Sequence, residues 1–372
     1  MRLGVEAALV DGRLLPGDIA LDDGVVSAVG LEPGGTGIAA PGFVDLQVNG
    51  FAGVDFLGAD ADGFATAGEA LLETGVTAYL PTLITSPEED LIRALRAIPE
   101  RSSGPRILGA HVEGPFLSPA RLGTHSLAAR RDPDADLLER LLEAGPVRLV
   151  TLAPELPGAL ELIDLLHARS VTVSLGHTNA TAAEARAAFD RGVHTVTHVF
   201  NAMRPLAHRD PGVVGAALVR PDVVVQAIVD GVHLDPDIVR LLWSAAAGRV
   251  ALVTDAIAGA GLGDGTYALG ETEIVVADDV VRREDGVLAG SALTMPQAVR
   301  NLVEVGVPFG WWQLPCHREN VIMGVHHALS CEMLSQKRTG GSKDFSALVA
   351  NGAVEPDLGK FPVTADGLFV EL

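Results

Sequence analysis

The sequence predicts an α/β protein whose main body is a (β/α)8 TIM-like barrel. Three observations carry this expectation. From residue 42 an apolar strand, a polar loop and an amphipathic helix recur, and eight segments fit the strand. Those segments are rich in Val, Leu and Ile on both faces, as parallel strands covered by helices are. Most of them also end in polar side chains, at the rim where a barrel holds its chemistry. A doubly wound open sheet is the rival arrangement.

Residues 1–40 precede the pattern and read as short strands, VEAALVDG, GDIALDDG and GVVSAVG, separated by Asp-Gly, Pro-Gly and Gly-Gly turns. Gly34-Gly35-Thr36-Gly37 lacks the Lys-Ser/Thr and the helix of a phosphate loop, so a turn is expected there. The strand segments follow at 42–50, 75–82, 106–114, 147–155, 171–178, 194–202, 223–231 and 249–256. ATAAEARAAFDRG (180–192) and DPDIVRLLWSAAAG (235–248) are clear helices, the first with Thr178 or Asn179 as its expected cap. Residues 266–288 read as a hairpin with Asp-Asp and Asp-Gly turns, and LAGSALTM (288–295) leads into the helix PQAVRNLVEVG. At Gly310 the character shifts. Beyond it lie every Lys, both Cys and Trp311 and Trp312, while the Ala/Val/Arg-rich style stops. The expected division is therefore 1–41, a small β unit; 42–309, the barrel; and 310–372, an atypical C-terminal segment.

Composition excludes several chemistries. Of 27 basic side chains in 372 residues only Lys337, Lys343 and Lys360 are lysines, so positions 1–336 hold none. Schiff bases, P-loop lysines and carboxylated-lysine metal bridges are excluded there. A net charge of −21 argues against nucleic acid or an anionic membrane as partner. Cys316 and Cys331 are expected as unpaired thiols of a reducing cytoplasm. The segment MRLGVEAALVDG lacks a signal peptide's apolar run, and no stretch long enough to span a membrane is expected.

The strand ends are the informative feature. Strand one carries Gln47 and Asn49; strand three ends in His111, Glu113 and Gly114-Pro115; strand five in His177; strand six in His198 and Asn201; strand seven in Asp230 and His233; strand eight in Asp255. Six strands delivering carboxylate, imidazole or amide groups to one rim is hard to explain as packing. One Glu and two His leave a coordination position for water, the open arrangement of a catalytic zinc. An unliganded carboxylate such as Asp255 can then move the proton. His194 and His198 do not form a helical HxxxH site. The run HTVTHV is β-branched, and four residues of strand put the rings roughly 13 Å apart. His198 alone is kept as a ligand. His167 and His208 read as surface residues, and no metal site is expected from His317, His326 and His327.

PGFVDLQVNGFAGVDF, HVEGPFL followed by GTH, SLGHTNA, THVFNAM, IVDGVHL, LVTDA and LAGSALTM occur in the order found in the N-acetylglucosamine-6-phosphate deacetylase branch of the amidohydrolase superfamily. The resemblance covers roughly residues 1–309. It implies a barrel plus a small β-sandwich built from both chain ends, and hydrolysis of N-acetyl-D-glucosamine 6-phosphate to D-glucosamine 6-phosphate and acetate. By motif position it implies Glu113, His177 and His198 as ligands of one divalent metal, zinc or iron. Asp255 becomes the acid/base, and His125 the group that polarises the acetamide carbonyl. Thr124, Asn201 and Ala202 resemble substrate contacts, Arg209 and His233 a phosphate clamp shared across a homodimer, and Leu288, Ala289, Gly290 and Ser291 a loop over the sugar. Gln47 and Asn49 stand where most amidohydrolases have His-x-His, so they read as the remnant of a second metal site and a single ion is expected. Alternatives are another acetylated hexosamine phosphate, a cyclic amide, or a non-catalytic sugar-phosphate-binding protein.

Overall fold

The computed structural model describes residues 1–10, 13–22, 25–102 and 104–307. The Asp-Gly turns at 11–12 and 23–24, the metal-site and thiol expectations for His317, His326, His327, Cys316 and Cys331, and the expected role of 310–372 in completing the small β domain fall outside these residues.

Eight parallel strands form the barrel: β1 (Phe43–Val48), β2 (Val76–Ile84), β3 (Ala110–Glu113), β4 (Val147–Leu152), β5 (Thr172–Leu175), β6 (Thr195–Val196), β7 (Val224–Ala227) and β8 (Val250–Leu252). They pair in chain order. A parallel bridge between Val48 and Ala256 closes the ring, with Asp255 N–H donating to Gln47 O at 2.9 Å and Asn49 N–H to Ala256 O at 2.7 Å. A helix follows each strand: α1 (Ala61–Glu73), α2 (Glu88–Ala97), α3 (Ala135–Ala144), α4 (Ala159–Ala168), α5 (Ala182–Phe189), α6 (Gly212–Leu218), α7 (Pro236–Ala245) and α8 (Met295–Glu304). The open-sheet rival is thereby set aside. One buried apolar cluster joins the strands to the helices that cover them.

Local chemistry explains where the elements depart from the sequence reading. The segment 106–114 is two strands, Arg106–Ile107 and β3, broken at Gly109 (φ 123°). A Cβ at Gly109 would sit 2.4 Å from the Pro146 carbonyl oxygen, so only glycine lets the chain pass there. Strand six was expected over 194–202, but ladder pairing covers only Thr195–Val196 before His198, Phe200 and Ala202 turn left-handed. The cap of α5 is Thr181, in a reciprocal capping box with Glu184, rather than Thr178 or Asn179. The Thr178 hydroxyl donates instead to Glu155 Oε2 at 2.5 Å. Asp60, Asp134, Asp235 and Thr294 cap α1, α3, α7 and α8 through side-chain oxygens.

Residues 266–288 form a three-stranded antiparallel sheet rather than a hairpin: Gly265–Leu269, Thr272–Ala277 and Val280–Arg283. Asp278 and Asp279 make the left-handed second turn. Gly270 N–H donates to Asp55 Oδ2 at 2.6 Å and ties the first turn to the loop after β1. The inner face, Leu269, Ile274, Val276 and Val281, packs on Ile84, Ile257 and Ala289 beside the barrel mouth.

At the N-terminus Ala7–Val10 pairs antiparallel with Arg13–Pro16 and parallel with Ile38–Ala39, and Asp18–Asp22 pairs with Val25–Leu31. The sequence reading missed Arg13–Pro16 and Ile38–Ala39. Asp18 is fully covered there. Burial alone would raise its carboxyl, but donors from Val5 and Ile19 N–H, the Arg2 guanidinium and Gly4 N–H outweigh it and hold the carboxyl below its ordinary value. Among the described residues no helix is long and apolar enough to cross a membrane.

Candidate active site

The carboxyl ends of the strands open on a cavity of about 380 Å³. Glu113 ends β3, and His177, His198, His233 and Asp255 lie just past β5, β6, β7 and β8; all five line the cavity with Asn49 and His125. His177 (φ 47°), His198 (φ 25°), Ala202 (φ 49°) and Asp255 (φ 51°) occupy the left-handed region that non-glycine residues avoid. Strained backbone gathered at one rim marks a functional site, because only the surrounding structure holds such residues in place.

Glu113 is the hub. Its Oε1 lies 3.0 Å from His198 Nε2 and 3.3 Å from His177 Nε2, and its Oε2 lies 3.6 Å from His125 Nε2. The two ligand-type nitrogens of His177 and His198 are themselves 3.0 Å apart. Among the described residues, ligand atoms of Glu113, His125 and His177 also lie within 4.8 Å of one another, so two triads can be drawn. Hydrogen bonding decides between them. Thr85 N–H donates to His125 Nδ1 at 3.2 Å, so neutral His125 carries its proton on Nε2, which is then a donor with no lone pair for an ion. Burial, reinforced by His177, holds the His125 imidazole down to about 3, so it is neutral. His177 Nδ1 faces the Arg121 carbonyl at 2.9 Å and must donate, which frees its Nε2 lone pair. Glu113, His177 and His198 therefore present a carboxylate oxygen and imidazole nitrogens at one point, and fit a divalent cation; His125 fits beside it as a hydrogen-bond donor. Burial would raise Glu113, yet the neighbouring His177 and His198 imidazoles outweigh it and hold the carboxyl well below its ordinary value.

Gln47 and Asn49 hold the two carboxylates. Gln47 Nε2 donates to Glu113 Oε1 at 3.1 Å, and Asn49 Nδ2 donates to Asp255 Oδ1 at 2.7 Å. Each carboxylate thus carries an amide N–H on one of its oxygens. Burial pushes the Asp255 carboxyl up to about 6, and the Glu113 carboxylate adds to the rise. Behind it, Thr254 donates its hydroxyl to buried Asp45 at 2.6 Å.

At the rim, His233 Nδ1 donates to Asp230 Oδ2 at 2.6 Å, and Asp230 also accepts the backbone N–H of Val232 and His233, each at 2.8 Å. The Thr124 hydroxyl lines the cavity and is buried, with no hydrogen-bond partner among the described residues. Asn201 and Ala202 line the cavity too; Asn201 Nδ2 donates back to His198 O at 3.2 Å and so braces the His198 loop. Leu288 and Gly290 reach the cavity, whereas Ala289 and Ser291 are buried behind it. Ser291 donates its hydroxyl to Thr254 O at 2.5 Å and its N–H to Asp255 O at 2.9 Å, supporting the Asp255 loop rather than covering the cavity. Arg209 is exposed and outside the lining. His194 is exposed at the far end of β6, bonded to Asp222 O at 3.2 Å, apart from buried His198. Sequence reasoning missed Thr85 and Arg121 because they act through backbone atoms, which carry no residue signal.

Comparison with known proteins fits this geometry. The pattern of the amidohydrolase family matches residues 38–309. The N-acetylglucosamine-6-phosphate deacetylase of Mus musculus is 39% identical over 331 residues, 83% of this chain and 78% of the relative. The N-acetylgalactosamine-6-phosphate deacetylase of Escherichia coli O157:H7 is 36% identical over 306 residues, 79% of this chain and 81% of the relative. A mutant N-acetyl-D-glucosamine-6-phosphate deacetylase of Mycobacterium smegmatis, solved in complex with N-acetyl-D-glucosamine-6-phosphate, superposes with TM-score 0.79 at 36% identity over 85% of this chain and 88% of that one.

Proposed function

The chain belongs to the amidohydrolase family, and from that premise we propose that it hydrolyses N-acetyl-D-glucosamine 6-phosphate to D-glucosamine 6-phosphate and acetate. The observation that carries this reading is the opposed hydrogen bonding of two neighbouring histidines: Thr85 makes His125 Nε2 a donor, and the Arg121 carbonyl leaves His177 Nε2 a lone pair for a cation. One site thus offers both a cation cradle and an oxyanion donor.

Glu113, His177 and His198 would hold one divalent cation, zinc being the first choice and iron(II) the second. When bound, such a cation supplies Lewis acidity and acidifies water. His125 Nε2–H donates to the acetamide oxygen as negative charge develops there. Asp255 takes the proton of the attacking water and returns it to the departing nitrogen. Asn49 fixes the carboxylate oxygen that does not move the proton. Thr124, Asn201, Leu288 and Gly290 line the sugar side. His233, oriented by Asp230, meets the phosphate. Exposed Arg209 suits a homodimer in which it reaches the neighbouring subunit's substrate. A cytoplasmic setting follows from the substrate, since a charged phosphate ester does not cross membranes unaided.

An acetate-release assay on metal-replete protein tests the whole reading, with metal content measured on the same sample. Acetate should appear from the phosphorylated glucosamine substrate and much more slowly from unphosphorylated N-acetylglucosamine. Faster release from the galactosamine epimer would move the specificity to that substrate, in line with the Escherichia coli relative. Ligand binding without acetate release would sink the enzyme reading.

The phosphate assignment has its own test. Asp230 is kept ionised because His233 and backbone donors outweigh its burial. Asp230→Asn should raise KM for the phosphorylated substrate about tenfold, the weight of one charge-assisted hydrogen bond, and change kcat little. Steady-state kinetics on both sugars checks it: equal effects with and without phosphate would place His233 elsewhere.

A further inference from the structure

Beneath the cation cradle the barrel interior is polar, where aliphatic side chains ordinarily fill such a layer. His111, Thr151, Ser174 and Thr197 are each fully buried. His111 Nε2 lies 2.7 Å from Thr151 Oγ1, Thr151 Oγ1 lies 2.7 Å from Thr197 Oγ1, and Thr197 Oγ1 lies 2.5 Å from Ser174 Oγ. On the other side His111 Nδ1 faces Thr82 Oγ1 at 3.4 Å, and Thr82 accepts Val48 N–H at 3.0 Å. The chain of contacts therefore runs across β1, β2, β3, β4, β6 and β5.

Each ligand rests on this layer. His111 is two residues before Glu113 on β3, so both side chains point inward from one strand face. Thr151 is the register partner of Glu113 across the β3–β4 pair. Thr197 directly precedes His198. Gly176 directly precedes His177, and a Cβ at that glycine would lie 2.6 Å from Thr151 Cγ2 and 2.9 Å from Thr197 Cβ. The His177 loop thus sits against the two central threonines of the layer.

We propose that His111 is a positioning residue: through Thr151 and Thr197 it sets the spacing of Glu113, His177 and His198, and thereby the affinity for the cation, without touching it. The inference rests on the single-cation reading above. Groups that orient metal ligands from behind commonly change affinity by about 10–100-fold when removed.

The test is zinc affinity by competition with a chromophoric chelator, read beside the melting temperature of the metal-free protein. His111→Leu and Thr197→Val should each weaken zinc binding about tenfold or more, and His111→Gln, which keeps a hydrogen-bonding group, should recover part of the loss. Leu166→Ala, a core truncation in α4 away from the layer, should lower the melting temperature and leave zinc affinity unchanged. Thr197→Val is close to isosteric and decides the matter where His111→Leu does not fold. Wild-type affinity in a folded His111→Leu or Thr197→Val protein overturns the proposal. A wild-type protein that binds no zinc or iron(II) would instead overturn the cation reading, so the two failures are distinct.

Discussion

Asp255→Asn should lower turnover by about 10³–10⁴-fold while the protein still folds and still binds its cation, since positioned proton transfer contributes on that order. The expectation follows from the way Asp255 is held. Its N–H is bonded to Gln47 O at the barrel seam, and one carboxylate oxygen accepts the Asn49 amide at 2.7 Å. An asparagine has the same shape, and its side-chain oxygen can still accept from Asn49. The local backbone, with φ at 51°, is one that asparagine tolerates well. What the variant loses is the proton-accepting oxygen. The carboxyl is raised to about 6 by burial and by the Glu113 carboxylate. A base must be ionised to act, so wild-type turnover should rise as pH climbs through the acid range. A cation on Glu113 offsets the repulsion that helps raise Asp255, which puts that limb at or below about 6. The variant's residual rate should lack the limb. Near-normal turnover, with unchanged metal content by atomic emission, would remove Asp255 from the acid/base role.

How much of this was legible in the sequence follows a physical divide. Strands and helices came through because hydrophobic periodicity and turn residues are local: seven of the eight barrel strands fall within the segments read from the sequence, and β2 overruns its segment by two residues. The strand ends were legible because a barrel gives polar residues at that rim a common destination. Four features were not. Strand β6 was read too long because HTVTHV has strand chemistry, while the left-handed turns at His198, Phe200 and Ala202 are imposed by the site and not by propensity. The tautomers of His125 and His177 are set by a Thr85 N–H and an Arg121 carbonyl, and every residue has such groups. His111 was visible as a polar strand residue, but its partners Thr151, Ser174 and Thr197 come from three other strands. Isolated threonines in β-rich segments look like ordinary strand formers. Gln47 and Asn49, read as a remnant, prove to be hydrogen-bond donors to the two carboxylates.

Glu113→Gln should have the second large effect, and its signature lies in stability as well as rate. Glu113 is the one carboxylate among three buried imidazoles and accepts from Gln47 at 3.1 Å. An amide is a poor ligand for a hard or borderline cation and brings no negative charge, so cation affinity should fall by more than about a hundredfold. Turnover should fall with it. In the metal-free protein the consequences are opposite in kind. Burial works against a charged His198, and the Glu113 carboxylate outweighs it to favour the protonated ring. Removing the carboxylate lets that proton go, and the buried pair becomes two neutral groups. Breaking a buried ion pair usually costs stability because an uncompensated charge is left behind, but here the remaining partner can shed its charge. Metal-free Glu113→Gln should therefore melt close to wild type. Added zinc separates the two proteins. A ligand that binds only the folded state at a thousandfold excess over Kd stabilises by about 4 kcal/mol, so wild type should show a clear rise in melting temperature and the variant almost none. Equal zinc-induced shifts would mean that Glu113 is not a ligand and would overturn both triads, since each contains it. A variant that melts far below metal-free wild type would mean that the carboxylate is needed to hold the histidines even without an ion.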